Sequence, residues 1–125
     1  MKTTRLPHEE LDRWPGRVNQ DGGDLRIVRG ADHGLSVSLM LSEVPPGSGP
    51  VRHRHPHGEV FVVHEGEATF EVEGDGMRAE GGDVVIVPPN AWHVFSNTGG
   101  SPLRLTAIHE SPRAVTEWED GTRRE

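Results

Sequence analysis

The stretch His53-Arg54-His55-Pro56-His57-Gly58-Glu59 places three imidazoles and one carboxylate within seven residues. His53 and His55 are two positions apart, so on a β-strand their side chains leave the same face about 6–7 Å apart and can approach one ion. Glu59 lies about 20 Å from His53 along a straight strand. The chain must therefore turn within Pro56-His57-Gly58, which contains typical turn residues. Two histidines and a converging carboxylate with open positions are the ligand set of a divalent transition metal.

The composition limits which fold classes and which kinds of binding site this chain can form. Its 125 residues fit one domain, and 16 glycines with 10 prolines favour short strands joined by turns. The chain has no cysteine, which excludes disulfides and leaves nitrogen and oxygen donors for a metal. Its net charge of −7 argues against nucleic-acid binding, which needs a basic surface. We therefore expect a small-molecule partner and no nucleic acid.

The sequence shows no recognisable targeting or membrane segment. Residues 1–10 contain no apolar run of the kind found in signal peptides. The longest aliphatic run, Val84 to Val87, is far too short to cross a bilayer. We therefore expect a cytoplasmic protein with no membrane partner.

Short apolar or alternating segments predict a series of strands. In residues 35–44 apolar and small polar side chains alternate, as in a strand with one buried face, and Val84 to Val87 is predicted to be a buried strand. Gly74-Asp75-Gly76 is a hairpin signal. Such segments without a long helix are typical of an antiparallel sandwich or small barrel. The predicted strands are 25–29, 35–44, 51–55, 59–64, 68–73, 77–80, 84–87, 92–96 and 103–109.

The two ends of the chain are predicted to flank the β domain. Leu11, Trp14 and Val18 have the spacing of a short helical turn, which Pro15 interrupts. We expect this arm to lie on the domain or on a partner subunit. The C-terminal tail contains Val115 and Trp118, so part of it is expected to pack. The predicted parts are an N-terminal arm (1–24), a β-barrel domain (25–112) and a tail (113–125).

Two motifs, in this order, resemble those of the cupin superfamily. The first, Gly47-x5-His53-x-His55-x3-Glu59-x6-Gly66, matches the family at every fixed position. The second, Gly82-x5-Pro88-x-Asn90-x2-His93-x3-Asn97, has Asn90 where the family usually has glycine. Asparagine tolerates a positive φ better than most residues, so the turn can be kept. The resemblance covers about residues 35–110 and implies an all-β cupin jelly-roll, a barrel or sandwich of antiparallel strands.

The resemblance also implies one metal ion inside the domain. By position in the motifs, the ligands are His53, His55, Glu59 and His93, so His93 supplies the third imidazole. Three imidazoles and one carboxylate leave two positions open on a six-coordinate ion. We expect one divalent transition metal per chain. Fe(II) is favoured, and the same donors accept Mn, Ni, Co, Cu or Zn.

Two further histidines are candidate catalytic residues. His57 lies in the predicted turn and is an acid/base candidate near neutral pH, an alternative metal ligand, or an exposed turn residue. His109 ends the last predicted strand, a position from which the resemblance to cupins implies that it lines the pocket. His64 is expected at the surface by alternation. Four apolar residues are expected to line the barrel: Met40, Phe61, Phe70 and Phe95.

The resemblance leaves three functions open. The favoured function is a non-haem metal oxygenase, dioxygenase-like, that acts on a small organic substrate. The second is an isomerase or cyclase that uses the metal as a Lewis acid, similar to the cyclases of polyketide pathways, with His57 or His109 as the acid/base. The third is a non-catalytic module that binds a small ligand. The arm, the exposed sheet edges and the resemblance also predict a homodimer.

Overall fold

Two six-stranded sheets face each other in the computed structural model, which describes residues 3–14 and 23–125. Phe61 of one sheet packs against Phe70 of the other, with ring centroids 5.0 Å apart. The strands are β1 (Asp12–Arg13), β2 (Asp24–Val28), β3 (Ser38–Val44), β4 (His53–Arg54), β5 (Glu59–Glu65), β6 (Glu67–Val72), β7 (Asp75–Glu80), β8 (Val84–Val87), β9 (His93–Asn97), β10 (Leu103–His109), β11 (Thr116–Trp118) and β12 (Arg123–Arg124). Two short 3-10 helices span His8–Glu10 and Gly30–His33.

Every strand pairing is antiparallel, and the order within each sheet places strands that are distant in sequence side by side. The first sheet runs β1-β2-β3-β10-β5-β8 and the second runs β12-β11-β4-β9-β6-β7. The predicted all-β antiparallel fold is therefore confirmed. Its form is a sandwich rather than a closed barrel, because the described strands fall into two separate sheets. Among the described residues, no helix has the length and apolar character needed to cross a bilayer.

The predicted turn at residues 56–58 carries the chain from one sheet to the other. His53 lies in β4 of the second sheet, whereas Glu59 opens β5 of the first. Along β5 the buried side chains are Glu59, Phe61 and Val63, as the alternation predicts. The turn thus places both halves of the first motif on inward faces.

An aromatic cluster fills the space between the sheets. The ring centroids of Phe61, Phe70 and Phe95 lie 5.0–5.5 Å apart in tilted or edge-on pairs, the geometry that aromatic pairs prefer. All three rings are buried, and so is Met40. These four residues therefore line the interior, as predicted. In β3 the buried face carries Ser38 and Met40.

The strand predicted at Val84 to Val87 is confirmed as β8, but the prediction that it is buried is wrong for two of its four residues. Val85 and Val87 are buried, but Val84 is 56% exposed and Ile86 is 72% exposed. The reason is the position of β8 at the edge of the first sheet. Only its inner face meets the other sheet, and the outer face has no covering layer among the described residues.

Both ends of the described chain join the sheets. Asp12 and Arg13 pair with β2 as an edge strand, so the helical turn predicted for this region is wrong at these positions. Backbone pairing to an exposed sheet edge satisfies hydrogen-bonding groups that a short helix interrupted by proline would leave free. Pro15 and Val18 lie outside the described residues. In the tail, β11 pairs with β4 and buries Trp118.

Candidate metal centre

Four side chains of the ligand type meet between the sheets. His53 lies in β4, His55 follows it directly, Glu59 opens β5 and His93 opens β9. His53 and His93 are paired neighbours across β4 and β9. One nitrogen or oxygen atom from each of the four side chains lies within 4.8 Å of the others, and all four side chains are buried. The cluster could hold a metal ion.

Backbone carbonyls orient the three imidazoles. In each ring, Nδ1 lies within hydrogen-bond distance of a carbonyl oxygen, which can only accept, so Nδ1 carries the hydrogen. In the neutral ring Nε2 then presents a lone pair. This arrangement is the usual support for a metal-binding histidine. The three pairs are His53 with Val51 at 2.7 Å, His55 with Val115 at 2.9 Å, and His93 with Ala91 at 2.8 Å.

The turn before β9 ties the two motifs together. Asn90 has φ +66°, so the asparagine adopts the left-handed turn that the motif requires. Its backbone N–H donates to the carbonyl of His55 over 2.7 Å. This bond holds the start of β9, and therefore His93, beside the first motif.

The carboxylate of Glu59 provides a test of whether a cation fits. Its Oε1 lies 3.1 Å from Nε2 of His55 and 3.0 Å from Nε2 of His93. If both rings are neutral, two lone pairs point at a negative oxygen. Nε2 of His55 is also buried without a partner in hydrogen-bonding geometry. A divalent cation between these atoms would remove both conflicts, so the donor set fits a metal.

The electrostatics favour the protonation state that a metal ligand needs at Glu59 and at His53, whereas at His55 burial acts to lower the pKa but Glu59 outweighs it and raises that pKa. Burial acts to raise the pKa of Glu59, but His109 and the contacts with His55 and His93 outweigh it and hold that pKa well below its usual range. Burial, together with His93 and His55, lowers the pKa of His53 to about 3. Near pH 7 the carboxylate is therefore ionised and His53 is neutral, as metal binding requires.

Comparison with known protein families identifies the fold. A family model described as "Cupin domain" matches residues 40–109. The chain belongs to the cupin family. The resemblance carried by the two sequence motifs is thereby confirmed, and the sandwich described above is the cupin jelly-roll.

Individual relatives of this cupin are more distant. A gentisate 1,2-dioxygenase of Aquipseudomonas alcaligenes is 38% identical over 69 residues, which are 54% of this chain and 20% of the relative. A 5-nitrosalicylic acid 1,2-dioxygenase of Bradyrhizobium is 26% identical over 111 residues, which are 81% and 53% of the two chains. The chain thus spans a fifth to about half of the length of these relatives. The oxalate decarboxylase of Lactobacillus farciminis, in a formate complex, superimposes with a TM-score of 0.77 at 21% identity over 90% of this chain and 34% of its own, a likeness of fold alone.

A second histidine pair adjoins the cluster of this cupin. His57 Nε2 lies 2.9 Å from His109 Nδ1, and both side chains are buried. The exposed-turn interpretation of His57 is therefore wrong: its ring stacks on His55 with centroids 5.1 Å apart. His55, His57 and His109 also form a group that could hold a metal, so the alternative-ligand hypothesis stays open. His64 is exposed, as predicted.

Burial dominates the electrostatics of this pair. It lowers the pKa of His109 to about 4, although the Glu59 carboxylate acts in the opposite direction. It also lowers the pKa of His57, with His55 as a second cause. Nε2 of His109 is buried and has no partner in hydrogen-bonding geometry. Both imidazoles are therefore neutral near pH 7, and Nε2 of His109 lies 3.2 Å from Oε2 of Glu59.

A small cavity of about 40 Å³ opens beside the cluster. Trp14 from the arm and Trp118 from the tail form part of its wall, together with His53, Glu59 and His109. The sequence motifs did not identify the two tryptophans as part of the site. The available signal was the occurrence of a large aromatic residue in each otherwise polar end of the chain.

Proposed function

We propose that this cupin is a non-haem metal-dependent oxygenase, dioxygenase-like, that acts on a small organic substrate. The observation that carries the proposal is the buried cluster His53, His55, Glu59 and His93, with its donor atoms within 4.8 Å of one another beside a cavity. One divalent transition metal per chain would be held by these four residues. Fe(II) is the favoured ion, and Mn, Ni, Co, Cu or Zn suit the same donors.

Two observations support oxygenase chemistry over simple metal storage. Four protein ligands would leave two positions open on a six-coordinate ion. A bound Fe(II) with open positions would supply oxygen activation next to a substrate. The two relatives described above are both named as 1,2-dioxygenases. Because the chain covers a fifth to about half of their length, the activity is part of this proposal.

His57 and His109 are the proposed catalytic residues. His109 presents a buried Nε2 beside the cluster, within reach of a ligand in the cavity that it helps to line. Its Nδ1 lies 2.9 Å from Nε2 of His57. When Nε2 of His109 accepts a proton, the hydrogen on its Nδ1 can therefore pass to Nε2 of His57. Such a pair can serve as a general acid/base.

The same pair favours a second candidate function, a Lewis-acid isomerase or cyclase. That chemistry needs a proton donor and acceptor beside the metal and no oxygen. Oxygen uptake separates the candidates. If the protein is an oxygenase, oxygen should be consumed when a catechol, flavonol, thiol or gentisate is added. If it is an isomerase or cyclase, product should form without oxygen consumption. Saturable ligand binding with neither result would favour the non-catalytic binding module.

The primary test of the proposal is elemental analysis of protein purified anaerobically from a medium that contains several metals. About one Fe, Mn, Ni or Cu per chain is the expected result. Zinc alone would move the proposal towards Lewis-acid chemistry. No bound metal, even after reconstitution, would overturn both enzyme proposals.

We also propose that two copies associate through the outer face of the first sheet. Aliphatic side chains lie side by side across five strands of this face, and those at the β8 edge are well exposed, with Ile86 at 72%. An apolar sheet face can pack against the same face of a second copy, as in packed sheets. The row, in strand order, is Val28, Leu39, Ile108, Val60 and Ile86. The cytoplasmic location and the domain boundaries stay predictions.

A further inference from the structure

The inner face of the first sheet changes from polar to apolar with distance from the cluster. Strand pairing places His109 beside Glu59. The next inward row holds Ile27, Met40, Ala107 and Phe61, and the row beyond it holds Leu25, Ser42, Leu105 and Val63. Six of these eight residues line the cavity: Leu25, Met40, Ser42, Phe61, Leu105 and Ala107. A ligand that enters the cavity thus meets polar groups at the cluster and mainly apolar walls elsewhere.

The arm and the tail add two indole rings to these walls. Trp14 is held where its backbone N–H donates to the carbonyl of Leu25 over 3.0 Å. Trp118 is the strand neighbour of His53. Both tryptophans line the cavity and are at least 92% buried. Indole side chains in the wall of a cavity beside a metal-binding cluster are suited to an aromatic ligand, because aromatic rings pack well against one another.

Two arginines that are next to cavity residues in the sequence are directed elsewhere. Arg26, between two buried residues of β2, lies 2.9 Å from the carboxylate of Asp24. Arg54, between His53 and His55, bonds Glu117 over 3.1 Å and lies over the Trp92 ring. Strand alternation explains both directions, because residues next to an inward side chain point outward. Within the described residues, no arginine or lysine lines the cavity.

We propose that the cavity selects an uncharged aromatic ligand whose oxygen donors lie at the cluster end, and excludes a ring that carries a carboxylate at the opposite end. This inference rests on the proposed function for the role of the metal. A carboxylate at the metal can be balanced by the ion. At the far end it would lose its hydration among the apolar side chains without a cation to replace it.

The test compares 4-methylcatechol with 3,4-dihydroxybenzoate. The two have the same diol, and they differ in a methyl or carboxylate group remote from it. Binding is measured by calorimetry on the zinc-loaded protein without oxygen, so that no turnover occurs. We expect 4-methylcatechol to bind at least tenfold more tightly. Equal affinities, or tighter binding of the carboxylate, would overturn the inference.

A gain of function provides an independent check. Ser42 faces the cavity from β3 and is only half-buried, so a longer side chain is tolerated there better than at Leu105. S42R should improve binding of 3,4-dihydroxybenzoate at least fivefold relative to S42Q, the uncharged variant of similar length. Equal carboxylate binding by the two variants would count against the inference.

Two controls separate the possible failures. Arg17 lies outside the described residues, and R17Q should leave the affinity ratio of the two ligands unchanged. A large shift in that ratio would show that this arginine serves the cavity and would overturn the inference. Metal content is measured on the same samples. Loss of metal binding overturns the proposed function, whereas full metal content with equal affinities overturns the selectivity alone.

Discussion

His109 contacts the oxygen of Glu59 that the other histidines leave free: its Nε2 lies 3.2 Å from Oε2. The opposite oxygen, Oε1, faces His55 and His93. Because Nε2 of His109 is outside hydrogen-bonding geometry, His109 limits the movement of the carboxylate by contact, and Oε1 is the oxygen that faces His55 and His93. Nδ1 of His109 is in turn 2.9 Å from Nε2 of His57, so the chain of contacts extends from the carboxylate to the turn between the two sheets.

Removal of His109 should weaken metal binding without removing a ligand of the proposed set. Supporting side chains of this kind typically account for 10–100-fold in metal affinity, so we expect H109A to lose about that much in competition with a chelator. H109Q keeps a polar side chain of similar reach and should retain most of the affinity while it loses acid/base activity. Equal metal affinity of H109A and the wild type would contradict the positioning role.

Removal of His93 should have a stronger effect. H93A deletes one of three imidazole donors and leaves the buried carboxylate of Glu59 with one fewer partner. We expect metal content to fall from about one ion per chain to a small fraction, measured by elemental analysis. H64A is the control, because His64 is exposed on the other face of β5. Unchanged metal content in H93A would contradict the ligand assignment.

The stability of the metal-free protein should fall as the pH decreases from about 6.5 to 4. The pKa of His53 is about 3 in the fold, below its value of about 6.5 in the unfolded chain. The unfolded state therefore binds the proton first, and stability falls by about 1.4 kcal/mol per pH unit for each such group. His109, with a pKa of about 4, acts in the same direction.

Two other groups modify this pH dependence. Because the pKa of Glu59 is lowered in the fold, this carboxylate stabilises the fold at any pH above its pKa in the unfolded chain. That stabilisation is lost only at more acidic pH. Burial acts to lower the pKa of His55, but Glu59 outweighs it and raises that pKa, so its stabilisation is present below about pH 6.5 and is lost as the pH rises through the folded value. Denaturant titrations at pH 7 and 4.5 measure the sum. H53Q should reduce the difference between the two pH values, and H64Q should not.

A charge at Ile86 should separate the proposed dimer. The side chain is 72% exposed in the described chain, so I86D costs little in the monomer but places a carboxylate in the apolar contact. We expect a dimer mass for the wild type and a monomer mass for I86D in light scattering. M77E is the matched control, because Met77 is an exposed apolar residue of the second sheet. A monomeric wild type would refute the dimer.

The turn at Asn90 should tolerate glycine but not alanine. A side chain with a Cβ costs roughly 1–2 kcal/mol in the left-handed conformation, and asparagine reduces this cost. We expect N90A to lower the free energy of unfolding by about 1 kcal/mol and N90G to leave it unchanged or slightly higher, measured by denaturant titration. A stable N90A would show that the turn adopts another conformation.

Local sequence patterns were sufficient to predict most of the strands and the first ligand motif. The spacing of His53, His55 and Glu59 on strands with a period of two, with a Pro-Gly turn between them, is a property of adjacent residues. The structure brings these side chains together with His93. The strands from 59 to 109 were predicted within two residues of their ends, because hairpin turns and alternation are encoded nearby in the chain.

Tertiary structure decided what depends on neighbours that are remote in sequence. Val84 to Val87 is uniformly apolar, and only the edge position of β8 determines that half of it is exposed. The burial of His57 depends on His55 and on His109, 52 residues away. Trp14 and Trp118 reach the cavity because each end of the chain pairs with a different sheet. The packing of whole sheets decides which side chains are buried and which line the cavity. A local sequence pattern shows only which side chains are suited to burial.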